Sequence, residues 1–380
     1  MFVINNNPSF VRGCFLRITV SVFSAATPFE LFIYRHIRII HVIKICLALL
    51  IAHVINSAFP VPYFAWTSVT IVIIMLTLPQ VGGALEKSIE RIIGTITGAC
   101  YGILILLFTS NPWAISILVM LGIAFTAYRA TSKMGYAYLV AGFTLIMVID
   151  GGSHSFDEAL WRTGTILLGC IIAILVSQFV LPLRAKNEWR WQLSESLDSM
   201  AKVWQAHLSP NVVKPLTTKK YLKQVEKSVA RQKALVKSVM IESKGIRRHG
   251  DFLEELVSVQ SRCLLVLELL AQTRWETNWS SENIHSLFSS GFDGRTFGDD
   301  LRTLSQFTSG QSHLLPPSRK QELQEFKDVV QRQFCEMNNY QLNTHGYAWL
   351  VYQACLQIQV ITSLIRRITM VTERKFHSNA

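Results

Sequence analysis

The amino-acid sequence predicts an all-α protein with a six-helix transmembrane domain followed by a cytoplasmic α-helical bundle. Half of the 380 residues are hydrophobic and 16% are charged, against about 25% charged residues in soluble domains. The charge is also unevenly placed, since residues 1–183 hold only 10 of the 37 Lys and Arg and 6 of the 25 Asp and Glu. The remaining charged residues lie in a second half whose apolar residues recur at helical spacing.

Six apolar segments are long enough, or nearly long enough, to cross a membrane. A transmembrane helix needs roughly 20 mostly apolar residues. Breaks rich in proline, glycine and polar residues separate the segments, and the second and fifth segments are short. The predicted spans are residues 39–58, 64–79, 92–109, 112–129, 135–150 and 160–182.

The basic residues between these spans predict the orientation of the chain. Lys and Arg are found before the first span and after the second, fourth and sixth spans, whereas the opposite connections contain neither. Since cytoplasmic loops are enriched in Lys and Arg, we expect both termini in the cytoplasm. The same preference accounts for the net charge of +12 without nucleic acid, which we do not expect as a partner. We expect contact with membrane lipid.

The domain boundaries follow from these segments. We expect residues 1–28 to be an uncleaved, poorly ordered extension, because Arg17 interrupts its apolar run. Residues 29–183 are predicted to form the membrane domain and residues 184–380 the cytoplasmic helical domain. The most basic segment, Lys214–Lys237, is typical of a solvated helix face, and it would also suit a surface that rests on anionic lipids.

The third and sixth spans resemble each other. A shift of 71 residues superposes Arg91 on Arg162 and Gly98 on Gly169. The second and fifth spans match loosely, Val69–Ile71 against Phe143–Leu145. Because each copy holds three spans, the second copy crosses the bilayer in the opposite sense. The pattern therefore predicts a 3+3 inverted repeat, a plan of many secondary transporters in which short corresponding segments lie near the binding site.

Three basic residues in or beside the spans are candidates for binding an anion. Lys44 lies about six residues inside the first span and needs a partner or water there, unless its side chain reaches back to the headgroups. Arg91 and Arg162 can bind a carboxylate through two parallel hydrogen bonds. Their alternative partners are carboxylates nearby in the chain, Glu86 and Glu90 for Arg91 and Asp157 and Glu158 for Arg162.

Four further side chains would complete a binding site for an amphipathic anion. Trp66 would supply an aromatic wall, and the hydroxyls would come from Thr70, Thr95 and Thr144. Tryptophan near a membrane surface is also a common anchor, and threonines in spans often bond to their own helix. We find no catalytic cluster, no metal-ligand spacing and no cofactor motif. The sequence therefore does not indicate an enzyme.

The motifs around these residues resemble a known family. The segment Phe29–Arg38, the pair Trp66-Thr67, the motif Glu90-Arg-Ile-Ile-Gly-Thr-Ile-Thr-Gly98 and the pair Trp161-Arg162 resemble the fusaric acid resistance and aromatic acid exporter family of bacterial inner-membrane proteins. The resemblance implies an exporter of aromatic carboxylic acids that often works beside a periplasmic adaptor protein. The single six-span unit suggests a homodimer. A more distant likeness is to plant aluminium-activated malate transporters, which are dimeric anion channels.

These observations lead to one expected function and two alternatives. We expect a multi-pass protein of the bacterial inner (plasma) membrane that exports small organic anions of the aromatic carboxylic acid class. A passive anion channel resembling the malate channels is the nearest alternative. The other is a membrane-anchored scaffold without transport.

Overall fold

The computed structural model describes residue 33 and residues 36–77, 80–132, 134–150, 155–208, 215–242, 250–276, 293–335 and 342–377. Across this part of the chain every regular element is an α-helix, which confirms the all-α prediction for these residues. The predicted extension 1–28 lies outside the described residues. The described residues form two compact units, one up to Ala185 and one from Lys186 onward.

Between residues 37 and 179 the described part of the first unit contains six helices, which correspond to the six predicted segments. They are α1 (Ile37–Ala58), α2 (Ala65–Thr77), α3 (Val81–Phe108), α4 (Pro112–Arg129), α5 (Gly135–Asp150) and α6 (Ser155–Phe179). The predicted start of the third segment is wrong, because its helix begins earlier, at Val81. Helix α6 begins at Ser155, and its apolar part begins at Leu160, where the sixth segment was predicted to start. The residues from Val81 to Glu90 include several polar side chains, so this part of α3 does not form an apolar run in the sequence.

Four helices of this unit are long and apolar enough to cross a membrane: α1, α3, α4 and residues 160–179 of α6. The helices α2 and α5 are apolar but shorter and match the predicted short segments. A further candidate by length and composition, Gly346–Met370, belongs to the second unit. The apolar helices support a membrane location for the chain.

The helices of the first unit pack in two closely fitted pairs. Helix α3 lies along α5, and α2 lies along α6, while α1 packs against α2 and α6. Helix α4 contacts mainly α5 and has no buried residue. A core of small and branched side chains joins α1, α2, α3 and α6, with Ala48, Ala52, Ile71, Ile74, Met75, Ala84, Ile166, Cys170, Ala173 and Val176 at its centre.

Within each helix pair, the two helices meet at related glycines. A Cβ atom on Gly98 of α3 would overlap the backbone oxygen of Ala141 on α5. A Cβ atom on Gly169 of α6 would lie 2.9 Å from the Cβ of Thr70 on α2. The second contact repeats the first at one fixed shift of 71 residues, from 98 to 169 and from 70 to 141. We call α1–α3 the first half and α4–α6 the second half of this unit. The third helix of each half therefore packs on the second helix of the other half.

The second unit is a bundle of six helices within the described residues. They are α7 (Ala185–Leu208), α8 (Pro215–Glu242), α9 (Gly250–Glu276), α10 (Arg295–Ser309), α11 (Lys320–Cys335) and α12 (Leu342–His377). Helix α9 packs along α8 and α12. Helix α7 places Trp189 and Trp204 in the core, and Ser196 of α7 shares a buried hydrogen-bond network with Gln232 and Gln260.

An ion pair fixes the segment before α11 to α10. The Arg319 guanidinium donates two hydrogen bonds to the Asp300 carboxylate, at 2.5 and 3.1 Å, and both side chains are largely buried. Burial raises the pKa of Asp300, and the neighbouring Arg319 opposes that rise. Arg319 therefore keeps a buried carboxylate charged.

We expect Gly98→Ala to destabilise the first unit, because the new methyl group would overlap the backbone of α5. Overpacking of this kind costs about 1–3 kcal/mol. Gly164→Ala on α6 is the matched control, since a Cβ there meets nothing within 4 Å and alanine favours a helix by up to about 1 kcal/mol. Thermal unfolding of the full chain in detergent measures both. Equal melting temperatures for the two variants would contradict the close packing of α3 on α5.

We expect Arg319→Met to cost about 3–5 kcal/mol at neutral pH, because Asp300 would remain as an unpaired buried carboxylate. Loss of Arg319 raises the pKa of Asp300 further. A folded-state pKa above the unfolded value means that stability falls as pH rises through it. The penalty should therefore shrink when the pH is lowered from neutral to a mildly acidic value, because the raised pKa lets the Asp300 carboxyl group take up a proton there. Arg302→Met, at an exposed arginine bonded to Gln205, should have a small effect at both pH values.

Candidate functional site

Lys44 caps the carboxyl end of a neighbouring helix. Its side chain is only 1% exposed, and its Nζ donates a hydrogen bond to the backbone oxygen of Ser177 at 3.1 Å. Ser177 lies in the last turn of α6, where backbone carbonyls have no partner within the helix. A cation is also favoured at the negative end of the helix dipole. This contact gives Lys44 a structural role, and its role toward an anion stays a prediction.

Arg162 stacks on an aromatic ring at the start of α2. Its Cζ lies 5.2 Å from the centre of the Trp66 ring, which is a cation–π arrangement. Close by, the Thr67 hydroxyl donates to the backbone oxygen of Thr165 at 2.9 Å. The two contacts join the start of α2 to α6. The side chains of Asp157 and Glu158, the predicted partners, lie outside the described part of the structure.

Arg91 is bound to an aromatic residue at the start of α5. Its Nη1 donates to the Tyr136 hydroxyl at 3.1 Å, and it is only 7% exposed. The predicted pairing with Glu86 or Glu90 is wrong, because the Glu90 carboxylate pairs with Lys87 at 2.7 Å. Among the described residues no carboxylate lies within 4 Å of the Arg91 guanidinium.

The arginines at the two related positions, 91 and 162, make related contacts. Each lies on the third helix of its half, and each contacts an aromatic residue at the start of the second helix of the other half. The Arg91–Tyr136 and Arg162–Trp66 pairs therefore lie between the two halves. Sequence comparison related the arginines but gave no signal for Tyr136.

One side of α3 carries buried polar atoms that lack hydrogen-bond partners among the described residues. These atoms are the Ser88 hydroxyl, the Arg91 Nε and the Thr95 hydroxyl. Their positions fall within about 60° of the helix circumference, and we call them the α3 polar face. Arg91 and Thr95 were predicted from the sequence, whereas Ser88 was not. Its position three residues before Arg91 was the available signal.

Thr70 and the α3 polar face lie beside the same part of α6. The Thr70 side chain packs on Gly169, and its hydroxyl also has no hydrogen-bond partner in the described structure. Arg91 lies within electrostatic range of the next residue, Cys170. Thr144 differs, since its hydroxyl donates to the backbone oxygen of Val140 on its own helix at 2.8 Å. Three of the predicted residues, Thr70, Arg91 and Thr95, therefore form one group. Thr144 lies apart from this group.

An apolar cavity of about 500 Å³ lies between α3, α4 and α5. We call it the aromatic cavity, because Tyr101, Phe125 and Tyr138 form its walls. Phe125 and Tyr138 meet edge to face, with ring centres 6.2 Å apart, and the Arg129 Cζ lies 5.6 Å from the Tyr138 ring centre. The small residues Gly98, Gly122, Ala137 and Ala141 leave the space open.

None of the site residues predicted from the sequence lines the aromatic cavity. The available signal was the set of aromatic residues on apolar segments that face small residues on neighbouring ones. The described residues contain no group of three or more His, Cys, Asp or Glu side chains arranged to hold a metal ion.

Comparison with known proteins gives a family and several relatives. The family model described as Fusaric acid resistance protein family matches residues 38–366. The Inner membrane protein YeeA of Escherichia coli strain K12 is 27% identical over 357 residues, which cover 90% of this chain and 97% of that protein.

Shorter matches are found to larger proteins. The Uncharacterized transporter YdhK of Escherichia coli strain K12 is 30% identical over 139 residues, which cover 34% of this chain and 20% of that protein. The protein of the same name from Salmonella typhimurium strain LT2 is 33% identical over 110 residues, or 28% of this chain and 15% of that protein.

We expect Tyr136→Phe to destabilise the chain by about 1–3 kcal/mol, because it leaves a further buried polar atom of Arg91 without a partner. Tyr138→Phe is the matched control, since the Tyr138 hydroxyl makes no hydrogen bond with the described residues. Thermal unfolding in detergent compares the two variants. A melting temperature that falls equally in both would mean that the Arg91–Tyr136 bond contributes nothing specific.

Proposed function

The chain belongs to the fusaric acid resistance protein family, and we propose that it exports small organic anions, aromatic carboxylic acids in particular, across the bacterial inner membrane. The family, the apolar helices and the names of the relatives, an inner membrane protein and an uncharacterised transporter, support a membrane transporter rather than an enzyme. The direction of transport and the substrate class are parts of the proposal.

The α3 polar face is the observation that carries the proposal. A buried cation in a membrane segment is unfavourable unless it is paired, and such residues typically mark the path of an ion or substrate. With Nη1 bonded to Tyr136, Arg91 keeps the Nε edge of its guanidinium for the two oxygens of a carboxylate. The hydroxyls of Ser88 and Thr95 on the same side of α3 would donate further hydrogen bonds to this anion.

The related contacts support a mechanism of alternating access. We take α1–α3 and α4–α6 as the two halves of the inverted repeat, with both termini and the helical second unit in the cytoplasm. The contacts of Gly98 and Gly169, related by 71 residues, support this arrangement. The two arginine–aromatic pairs then lie toward opposite membrane surfaces. They open one at a time as the halves rock about a site between them.

The aromatic cavity supports an aromatic substrate. Its volume of about 500 Å³ is in the usual range for small-molecule sites, and its aromatic walls suit stacking with a planar ring. Arg129 at the Tyr138 ring supplies a cation for a carboxylate. The aromatic cavity and the α3 polar face lie on different sides of α3, so a substrate would occupy them one after the other.

The transporter is also proposed to assemble with other protein chains. We propose a homodimer, because the described residues hold one unit of six apolar helices, and cooperation with a periplasmic adaptor protein. Lys44 and Trp66 would serve the path indirectly, Lys44 by holding the end of α6 and Trp66 by holding Arg162.

Transport is tested by uptake of a labelled hydroxybenzoate into inverted membrane vesicles, with and without a proton gradient. We expect uptake that needs the gradient and falls at least about tenfold in Arg91→Gln, the loss of one charge-assisted interaction. Arg302→Gln in the second unit is the matched control.

Phe125→Ala should raise the KM for the aromatic acid and leave the KM for an aliphatic acid unchanged. Tyr128→Ala, at an exposed aromatic residue of the same helix, should change neither KM.

Other outcomes assign other functions. Flux that follows only the anion's own gradient would establish a passive channel instead of an active exporter. Absence of uptake above empty vesicles, with folded protein confirmed by its melting temperature, would favour a membrane-anchored scaffold. Uptake unchanged in Arg91→Gln would remove the α3 polar face from the path.

A further inference from the structure

Helix α8 exposes an unusually basic surface. Six exposed lysines, Lys219, Lys220, Lys223, Lys227, Lys233 and Lys237, lie on it, within about 140° of the helix circumference. We call these six residues the lysine face. Between residues 217 and 237 the other exposed positions are Thr217, Ala230, Ala234 and a single acidic residue, Glu226.

The lysine face is held rigidly by the rest of the second unit. The opposite side of α8 is buried through Val225, Ser228, Gln232, Leu235 and Val239. Gln232 belongs to the hydrogen-bond network with α7 and α9. On the flank of α8, the Arg231 guanidinium is 2.7 Å from the Glu188 carboxylate.

Five of these six lysines make no ion pair with the part of the unit that the structure describes. Apart from Lys237, none of the six makes an ion pair with a described residue. Arg231 on the flank of α8 is paired with Glu188. The surface carries a positive charge that an external anionic partner could neutralise.

We propose that the lysine face binds the anionic headgroups of phospholipids. Along the chain, only five residues separate the end of the apolar helix α6 at Phe179 from the start of α7 at Ala185. A 28-residue helix is about 42 Å long, which allows several headgroups to be contacted at once. Each lysine near an anionic surface adds to the attraction.

Nucleic acid fits this surface less well. Single-stranded nucleic acids are bound through aromatic side chains on which the bases stack. Among the exposed residues of α8 between positions 217 and 237 there is no aromatic side chain. The nearest, Tyr221, is half-buried with the Lys202 Nζ 5.5 Å from its ring centre. The interaction therefore depends on charge and on contact with a flat surface. A layer of anionic headgroups provides both.

Lysine labelling tests the proposal on the full chain in lipid nanodiscs. The discs contain either phosphatidylcholine alone or phosphatidylcholine with phosphatidylglycerol, and acetylation by acetic anhydride is followed by mass spectrometry. We expect acetylation of the lysine face to slow several-fold when phosphatidylglycerol is present. Lys320, an exposed lysine on α11, is the internal control and should keep its rate. High salt should abolish the protection, because it screens the charges.

A charge variant makes the test specific. The triple variant Lys219→Gln, Lys223→Gln, Lys227→Gln should lose the protection at Lys220 and Lys233, and it should keep the melting temperature, since all three side chains are exposed. Equal acetylation rates in both lipids, or equal slowing at Lys320, would overturn the proposal. Protection that arises in neutral discs only when an oligonucleotide is added would also overturn it and assign the surface to nucleic acid. The readout involves no transported substrate, so it is independent of the proposed transport.

Discussion

The close approach of helix backbones at Gly98 and Gly169 is the constraint on which the first unit depends. Lipid tails are as apolar as the side chains of a membrane helix, so packing between helices, and not the hydrophobic effect, must hold them together. At Gly98 the backbone of α3 lies directly against that of α5, and at Gly169 the α6 backbone lies against Thr70. Both arginine–aromatic pairs, which lie on these same helices, require this fit.

Some polar side chains of the first unit have hydrogen-bond partners close by, and others have none in the described structure. Lys44 satisfies a helix end, and Thr97 and Thr144 donate to their own helices. Such contacts let a polar group lie in an apolar environment at little cost. The α3 polar face differs because its atoms lack partners in the described structure. This difference, and not polarity alone, separates a candidate site from ordinary helix chemistry.

The sequence predicted the helix positions well where apolar residues run without interruption, as in α4, whose predicted and observed bounds agree. It failed at the start of α3, since a polar first part of a helix does not resemble a span. The partner of Arg91 could not be predicted, because Tyr136 is 45 residues away in the chain and two nearby glutamates fit the helical spacing rule. The aromatic cavity was missed for another reason, since an empty space is defined by small residues on three helices.

The exchange of helices between halves has a consequence for biosynthesis. When α3 leaves the ribosome, its partner α5 has not yet been made, and α2 must wait longer still for α6. The surfaces of α2 and α3 that later pack on α6 and α5 therefore face lipid or the insertion machinery during synthesis. Neither half can complete its packing alone, so this part of the chain is expected to mature only after α6 is inserted. Truncation at the midpoint would leave an unassembled product open to proteolysis, and not a working half.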